Sequence, residues 1–413
     1  MRQSVHSALI WALICVLSAT LGLVSCASNE PDGNEPDGNE DKPFVPIELT
    51  RAQQDAVSST NRFACRLLSE SDTKEDNVIQ SPLSVATTLS MLASGADGET
   101  RDELLSVLGY DDMSTLISCH SILSQRLPQA DSKVALNLAN SMWLNTGFKI
   151  KEPYAMLLRD VFNAVAFNAN LGTEQAMNQI NEWCANVTNG MIPKLLDAPI
   201  DGAFALINAV YFNGRWREKF NKEDTHDGLF TNADGTTSRI PMMRAKTLHL
   251  DYADGEYAEA VRLPYGNGAF YMQLVLPHEG NTPENTAAAY ASDDFTEPGF
   301  TVTAVDLTMP RFSIESRFDL IKPLQNLGAV KAFGPDADYS MITDGKLGIN
   351  MVSHNAVIQV DEEGSKASAA TIIGVDTSAG GSLIELNFNR PFLFFIKEKS
   401  TNAVVFSGIV RKI

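Results

Sequence analysis

The stretch Asp361–Gly381, DEEGSKASAATIIGVDTSAGG, decides how the fold of this chain is interpreted. It lies between two strand-like runs, INMVSHNAVIQV and SLIELNFNRPFLFFI, and it has neither helical periodicity nor a hairpin turn. Structureless loops longer than about 12–15 residues are uncommon in compact domains and are usually functional or disordered. The stretch therefore marks the first place to look for function.

Small and apolar residues occupy every second position of this stretch. This set comprises Ser365, Ala367, Ala369, Thr371, Ile373 and Val375. The intervening set contains Ser368 and Ala370 and both charges, Lys366 and Asp376. Such alternation is typical of a strand with one buried face. The alternative is a small-residue linker in which the alternation is accidental.

The rest of the chain predicts an α+β domain. Helices are expected at SPLSVATTLSMLASG, with Ser81 as the cap, and at TEQAMNQINEWCANV, with Thr173 as the cap. Beyond about Ala205 the runs become rich in β-branched and aromatic residues, with a hairpin turn at Gly266–Gly268. Helices first and strands later favour N-terminal helices packed on large mixed or antiparallel sheets.

Composition excludes several classes of function. A net charge of −19 opposes binding to nucleic acid or to a heparin-like activator. The sequence has no GxSxG, phosphate loop, CxxC or HExxH motif, so catalysis, a metal site and a cofactor are not expected. The adjacent Cys119 and His120 are only a weak indication of a metal site. A hydrolase remains an alternative function if the fold brings together two carboxylates that are far apart in sequence.

The N-terminal segment has the features of a targeting signal. Residues 1–25 contain the apolar run ALIWALICVLSATLGLV, which ends at LVSC, a motif that resembles a bacterial lipobox with Cys26 as the acylated residue. An ordinary secretory peptide is the alternative. Residues 26–43 repeat the acidic unit PDGNE and are expected to form a tether, so a single domain is predicted over residues 44–413. The expected location is a bacterial cell envelope, where the lipid on Cys26 would anchor the protein to the outer membrane.

Ordered motifs across the domain resemble those of the serpin family. They are NVIQSPLSVATTLSMLASGADGETRDEL, LINAVYFNGRWREKF, DLTMPRFSI, FDLIKPLQNLGAVKAF, VSHNAVIQVDEEGSKASAAT and FNRPFLFFI. The resemblance implies a serpin fold with an exposed reactive-centre loop. It also implies that this protein is a monomer and that it forms a covalent acyl complex with a target serine protease.

The resemblance assigns roles to individual residues. Glu362 resembles the hinge glutamate and Arg311 its basic partner, and Trp216 resembles the breach tryptophan. The shutter cluster corresponds to Ser81, Ser84, Asn208 and His354. The hinge corresponds to Glu362, Glu363, Gly364, Ser365, Lys366, Ala367, Ser368, Ala369, Ala370 and Thr371. Lys366 departs from the acidic residue that is common at this position in the family. It belongs to the intervening set, whose side chains are expected to point outward from the buried face, and we call this set the outward set.

Counting from Gly364 in the family's register places the scissile bond between Ser378 and Ala379. Bonds after Thr377 or Asp376 are the alternatives. The small residues of VDTSAGG fit elastase-like or subtilisin-like proteases, whereas a trypsin-like protease needs a basic residue. Asp376 keeps an Asp-specific or cysteine protease open as the target. A non-inhibitory binding protein with the same fold is the second functional alternative.

Overall fold

The computed structural model of the protein describes residues 43–70, 77–292, 297–365 and 383–413. Among the residues of these ranges, none of the helices combines the length and apolar character needed to cross a membrane. The described part contains eight α-helices. They are α1 Arg51–Glu70, α2 Pro82–Gly95, α3 Gly98–Leu108, α4 Met113–Arg126, α5 Glu152–Phe162, α6 Glu174–Val187, α7 Pro283–Ala291 and α8 Ile321–Asn326.

The strands of the described residues form two sheets. They are β1 Val78–Gln80, β2 Val134–Asn145, β3 Ala164–Ala169, β4 Phe204–Arg215, β5 His226–Thr231, β6 Thr237–Asp254, β7 Ala258–Pro264, β8 Phe270–Pro277, β9 Thr301–Pro310, β10 Phe312–Asp319, β11 Met351–Asp361, β12 Gly364–Ser365, β13 Ile384–Asn387, β14 Phe392–Glu398 and β15 Val404–Val410. The nine-stranded sheet has the order β1-β15-β14-β8-β7-β6-β9-β13, with β5 paired to β6. The six-stranded sheet has the order β10-β11-β12-β4-β2-β3. The predicted α+β architecture is confirmed.

Local chemistry explains the main helix boundaries. Thr173 caps α6 as predicted, because its hydroxyl accepts from the Ala176 N–H at 3.3 Å. Ser81 occupies the N-cap position of α2 as predicted, but its side chain makes no capping hydrogen bond. Its backbone N–H instead donates to the ring of His354, while Pro82 supplies the fixed φ of the first helical turn.

Two strand assignments differ from the sequence-based expectation. β2 lies in the half that was expected to be helical; its first residues alternate between buried and exposed, but residues 139–144 are buried on both faces. The run TVTAVDLTMPRFSI is two strands rather than one, because the chain leaves the nine-stranded sheet at Pro310 and enters the six-stranded sheet at Phe312. Arg311 therefore sits at the crossing between the sheets.

The core lies between the two sheets. Helix α2 is buried along almost its whole length and packs against both β15 and β4. Helix α6 covers the opposite face of the six-stranded sheet, where Ile180 and Cys184 pack with Trp143 and Ile207. The six-stranded sheet is thus enclosed on both faces near its centre.

The centre of the six-stranded sheet contains a seam between β4 and β11. The two strands pair directly and in parallel from Met351 to Asn355. At the other end of the seam, the two residues of β12 lie between them and pair with both. Among the described residues, 210–213 of β4 and 356–359 of β11 have no ladder pairing across the seam. We call this stretch the open seam.

Candidate functional site

The predicted hinge begins as a strand inside the sheet. After β11 the chain turns at Glu362 and Glu363, and β12 then runs antiparallel to β11, with Val360 opposite Ser365 and Asp361 opposite Gly364. On its other side β12 pairs with Gly214 and Arg215 of β4. The first two residues after the turn are therefore already hydrogen-bonded between the strands that flank the open seam.

Gly364 is required by the geometry of this turn. Its φ of +143° is a conformation that side chains strongly disfavour. A Cβ at this position would approach the Gly214 carbonyl oxygen to 2.3 Å and the Arg215 Cα to 2.7 Å. The backbones of the hinge and of β4 can approach this closely only because residue 364 has no side chain.

Ser365, the first residue of the small set, is buried and its side chain points into the domain. It is 1% exposed, and its hydroxyl lies 2.8 Å from the hydroxyl of Tyr265. Tyr265 is itself buried and stacks on Trp216, with ring centroids 4.4 Å apart. Tyr265 and Trp216 therefore form an aromatic, tightly packed site beneath the hinge, with space for a small side chain. We call this site the seat.

Trp216 and the residues after it hold the hinge turn through backbone groups. The Trp216 indole N–H donates to the Asp361 carbonyl at 2.8 Å, and its backbone N–H donates to the Glu363 carbonyl at 3.0 Å. The Phe220 N–H donates to the Glu362 carbonyl at 3.1 Å. The predicted breach tryptophan is thus in direct contact with the hinge.

Glu362 and Arg311 form the pair that the resemblance implied. The buried Glu362 carboxylate accepts from Arg311 at 2.5 Å and from the Thr225 hydroxyl at 2.7 Å. Burial opposes ionisation of Glu362, but the hydrogen bonds from Arg311 and Thr225 outweigh it, so its pKa is lowered. A charged glutamate therefore ties the turn to the crossing between β9 and β10.

Glu363 is tied to the opposite side of the turn. Its carboxylate contacts the ammonium groups of Lys219 at 2.8 Å and of Lys222 at 3.1 Å. The close contact with the Lys219 ammonium is the main cause that lowers the pKa of Glu363. The two consecutive glutamates thus hold the turn from two directions.

The four predicted shutter residues meet at the end of the seam where β4 and β11 pair directly. His354 lies opposite Asn208 in that pairing. The His354 Nε2 accepts from the Ser81 backbone N–H at 2.8 Å, so its Nδ1 carries the proton and donates to the side-chain Oδ1 of Asn208 at 3.1 Å. The side-chain Nδ2 of Asn208 in turn donates to the Ser84 hydroxyl and, at 2.7 Å, to the side-chain Oδ1 of Asn140.

Protonation of His354 would break this arrangement. A second ring N–H would face the Ser81 N–H, and complete burial lowers the pKa of His354 to about 3. Burial likewise lowers the pKa of His120 to about 4, where its ring nitrogens lie 3.2 Å from the Thr87 hydroxyl and 2.9 Å from that of Ser90. Both histidines are therefore neutral in the folded protein at ordinary pH.

We expect acid to destabilise the protein between about pH 6.5 and pH 4. Unfolded histidine binds a proton below about pH 6.5 whereas His354 and His120 do not, so the unfolded state binds more protons and stability falls as pH falls. Each histidine contributes roughly 2 kcal/mol to the loss between pH 7 and pH 5. Urea unfolding at pH 7 and pH 5 should therefore show that the free energy of unfolding of His354→Gln falls by about 2 kcal/mol less than that of the wild type. The exposed His226→Gln variant is the control, and an equal loss in all three proteins would contradict the argument.

Several residues of this site were not predicted from the sequence. Tyr265, Thr225, Lys219 and Lys222 contact the hinge, and Asn140 joins the shutter residues. Asn140 offered a signal, because it is a polar residue within an apolar run and lies directly opposite Asn208. The others become neighbours of the hinge only through the topology of the sheets.

Some predicted residues lie outside the part of the chain that the structure describes. They are Cys26, Lys366, Ala367, Ser368, Ala369, Ala370, Thr371, Asp376, Thr377, Ser378 and Ala379. Their assignments remain predictions. Within the described ranges, the side chains offer no group of three or more histidine, cysteine, aspartate or glutamate residues that could hold a metal ion.

Comparisons with known proteins agree with this geometry. The family model described as "Serpin (serine protease inhibitor)" matches residues 58–413. Iripin-1 of Ixodes ricinus is 32% identical over 402 residues, which cover 90% of this chain and all of the relative. An uncharacterized serpin-like protein of the archaeon Methanosarcina acetivorans is 30% identical and covers 86% of this chain and 87% of its own length.

Solved structures give the same result. The thermophilic serpin tengpin, in its native state, is similar with a TM-score of 0.79 and 29% identity, covering 90% of this chain and 97% of its own. Serpin48 of Tenebrio molitor has a TM-score of 0.78 and 28% identity, covering 88% and 100%. Thyroxine-binding globulin with thyroxine, at 23% identity and a TM-score of 0.77, shares the fold.

The comparisons also correct the argument about catalysis. The expectation that the chain is not an enzyme rested on motifs that the sequence lacks. The matched family is instead described by its action on serine proteases. The description of the matched family, and not the absence of motifs, is therefore the basis on which the function of this chain is argued.

Proposed function

The chain belongs to the serpin family, and on that premise we propose that it is a suicide-substrate inhibitor of serine endopeptidases. The observation that carries the proposal is the position of Ser365. Ser365, the first residue of the small set expected to form the buried face of a strand, is buried between β4 and β11, directly beside the open seam. A strand that starts there can be extended along the seam without first separating the two strands at its entrance.

The proposed reaction begins as ordinary proteolysis. The protease serine hydroxyl attacks the carbonyl of Ser378, the bond to the Ala379 nitrogen breaks, and that nitrogen takes the proton through the protease histidine. The product is an ester between Ser378 and the protease, with a free amine on Ala379. The protein supplies no catalytic group to these steps.

Strand insertion then competes with hydrolysis of the ester. About 14 residues at roughly 3.3 Å each would carry the ester on the order of 45 Å if β12 extended through the seam. Displacement of this size deforms the triad and the oxyanion hole of the attached protease, so deacylation stalls. Inhibition requires insertion to be faster than deacylation.

The segment VDTSAGG supports an elastase-like or subtilisin-like target. Its side chains near Ser378 are small and it has no lysine or arginine. An Asp-specific or cysteine protease, acting after Asp376, is the alternative target.

We expect a covalent complex when the protein is incubated with pancreatic elastase or subtilisin. Denaturing gel electrophoresis should show a band at the summed mass less that of the released C-terminal fragment, and mass spectrometry of that fragment should place Ala379 at its N-terminus. Trypsin should form no complex with the wild-type protein but should form one with a Ser378→Arg variant. Cleaved inhibitor without complex at every ratio and with every protease would contradict the proposal.

The proposed location is the outer membrane of a bacterial envelope. It is supported by the apolar run that ends at LVSC, by Cys26 within that motif and by the acidic PDGNE repeat after it. We expect a Cys26→Ala variant to leave the membrane fraction of the producing cell, whereas the wild-type protein stays in it. Equal distribution of the two proteins would remove the lipid anchor from the proposal.

A further inference from the structure

The ion pair of Glu363 is unusually well enclosed for a contact on a turn. Glu363 and Lys219 are each only 15% exposed in their side chains, and their charged atoms are 2.8 Å apart. Lys222 adds a second contact but is 68% exposed. Lys219 is therefore the partner that is held in place, and Lys222 is an outer contributor of charge.

This pair connects the hinge turn to the segment that follows β4. Residues 216–220 already receive the turn through the Trp216 and Phe220 backbone N–H groups. The Glu363 side chain adds a charged contact to these two hydrogen bonds. Glu362 faces the other way, toward Arg311 and Thr225, so the Glu363 contact is separate from the pair that the resemblance implied.

The consequence for the hinge follows from the pairing of β12. Gly364 and Ser365 occupy their places only while the turn stays close to Gly214 and Arg215 of β4. A strand of only two residues forms few ladder hydrogen bonds, and these must offset the conformational entropy that is lost when the two residues are ordered. The strand therefore depends on the contacts around it for its stability. The Glu363–Lys219 pair is the charged contact that joins this turn directly to the β4 side.

We propose that Glu363 and Lys219 are positioning residues that keep Gly364 and Ser365 in the sheet before cleavage, so that insertion begins from a strand that is already paired. The inference rests on the proposed function and deepens it. The entropy of starting the new strand is then lost during folding, before the protease is bound. Loosening the pair should slow insertion and let more of the ester be hydrolysed.

The test compares Glu363→Gln, Lys219→Met and the double variant. The control is Asp197→Asn, which removes the same charge from the exposed pair with Lys194. Hydrogen–deuterium exchange of the uncleaved protein reports the pairing of residues 361–365. The stoichiometry of inhibition with subtilisin or elastase reports the competition between insertion and hydrolysis. Each single variant should raise both readouts roughly two- to fivefold, the range of one partly exposed charged contact.

The double variant should be no worse than either single variant, because both remove the same contact. The charge-swapped Glu363→Lys, Lys219→Glu protein should recover part of the wild-type values. Additive single effects, unchanged exchange, or raised exchange with unchanged stoichiometry would each overturn the proposal. A wild-type protein that forms no complex would overturn the proposed function, whereas a wild-type complex with unaffected variants would overturn this inference alone.

Discussion

Cleavage of the segment between Ser365 and Leu383 is expected to raise the melting temperature of the protein by roughly 10–25 °C. The open seam is the physical reason. Residues 210–213 of β4 and 356–359 of β11 pair with their outer neighbours but, among the described residues, not with each other. A cut that frees the chain after Ser365 allows β12 to extend between them and to pair with both.

The size of the effect follows from the number of new hydrogen bonds. About 14 inserted residues would add some 14 ladder hydrogen bonds at roughly 0.5–1.5 kcal/mol each, so on the order of 10 kcal/mol or more is gained. An unfolding entropy of about 2.1 cal/mol/K per residue converts 1 kcal/mol into about 1.3 °C for a domain of this size. A shift of 10 °C or more is therefore the minimum that insertion predicts.

The measurement is calorimetry of the intact and the nicked protein. A protease that cuts without being trapped, used in limited amount, should give one nick, and mass spectrometry should place it within residues 366–382. Intact protein carried through the same incubation with inactivated protease is the control. An unchanged or lowered melting temperature after a nick in this range would show that the segment does not insert, and would favour a non-inhibitory binding protein.

The sequence predicted the architecture of this chain well because its periodicities are local. The Thr173 cap of α6 and the hairpin at Gly266–Gly268 depend on residues that are close in sequence. β2 was missed in part because residues 139–144 are buried on both faces and lose the alternation that identifies a strand. Ser81 holds the predicted N-cap position, but its contact with His354, a residue far away in sequence whose ring accepts from the Ser81 backbone N–H, could not be predicted from local sequence.

The site was predictable only where the family resemblance supplied the pairs. Glu362 with Arg311, and His354 with Asn208, are joined across long sequence separations that no local pattern reveals. The same distance hid Tyr265 and Lys219, for which the resemblance gave no hint. Their roles follow from the register of β12 against β4, which places Ser365 over Tyr265 and Glu363 beside Lys219.

If the protein inhibits as proposed, replacing Ser365 with arginine is expected to convert it into a substrate. Ser365 is 1% exposed, and its hydroxyl meets that of the buried Tyr265. An arginine there must either place its charge among Tyr265 and Trp216 without a carboxylate partner or leave the seat altogether. A buried unpaired charge costs several kcal/mol, so the side chain should leave and the hinge should no longer be paired.

The kinetic effect should be large because inhibition is a competition between two rates. A barrier raised by about 3 kcal/mol slows insertion more than 100-fold. Deacylation takes place in the protease and is unaffected by the substitution. The complex band with elastase or subtilisin should therefore disappear, cleaved protein should accumulate, and the stoichiometry of inhibition should rise more than tenfold.

The matched control is the same substitution at Ser368, which belongs to the outward set of the predicted strand. Ser368→Arg should keep the complex, because its side chain would point to the opposite face of the sheet from Ser365. Ser365→Ala should also keep it, since alanine loses one hydrogen bond but fits the same space. Circular dichroism and melting of the uncleaved variants establish that each is folded. If Ser365→Arg inhibits as well as the wild type, or if Ser368→Arg fails equally, insertion does not proceed through the seat that Tyr265 and Trp216 form.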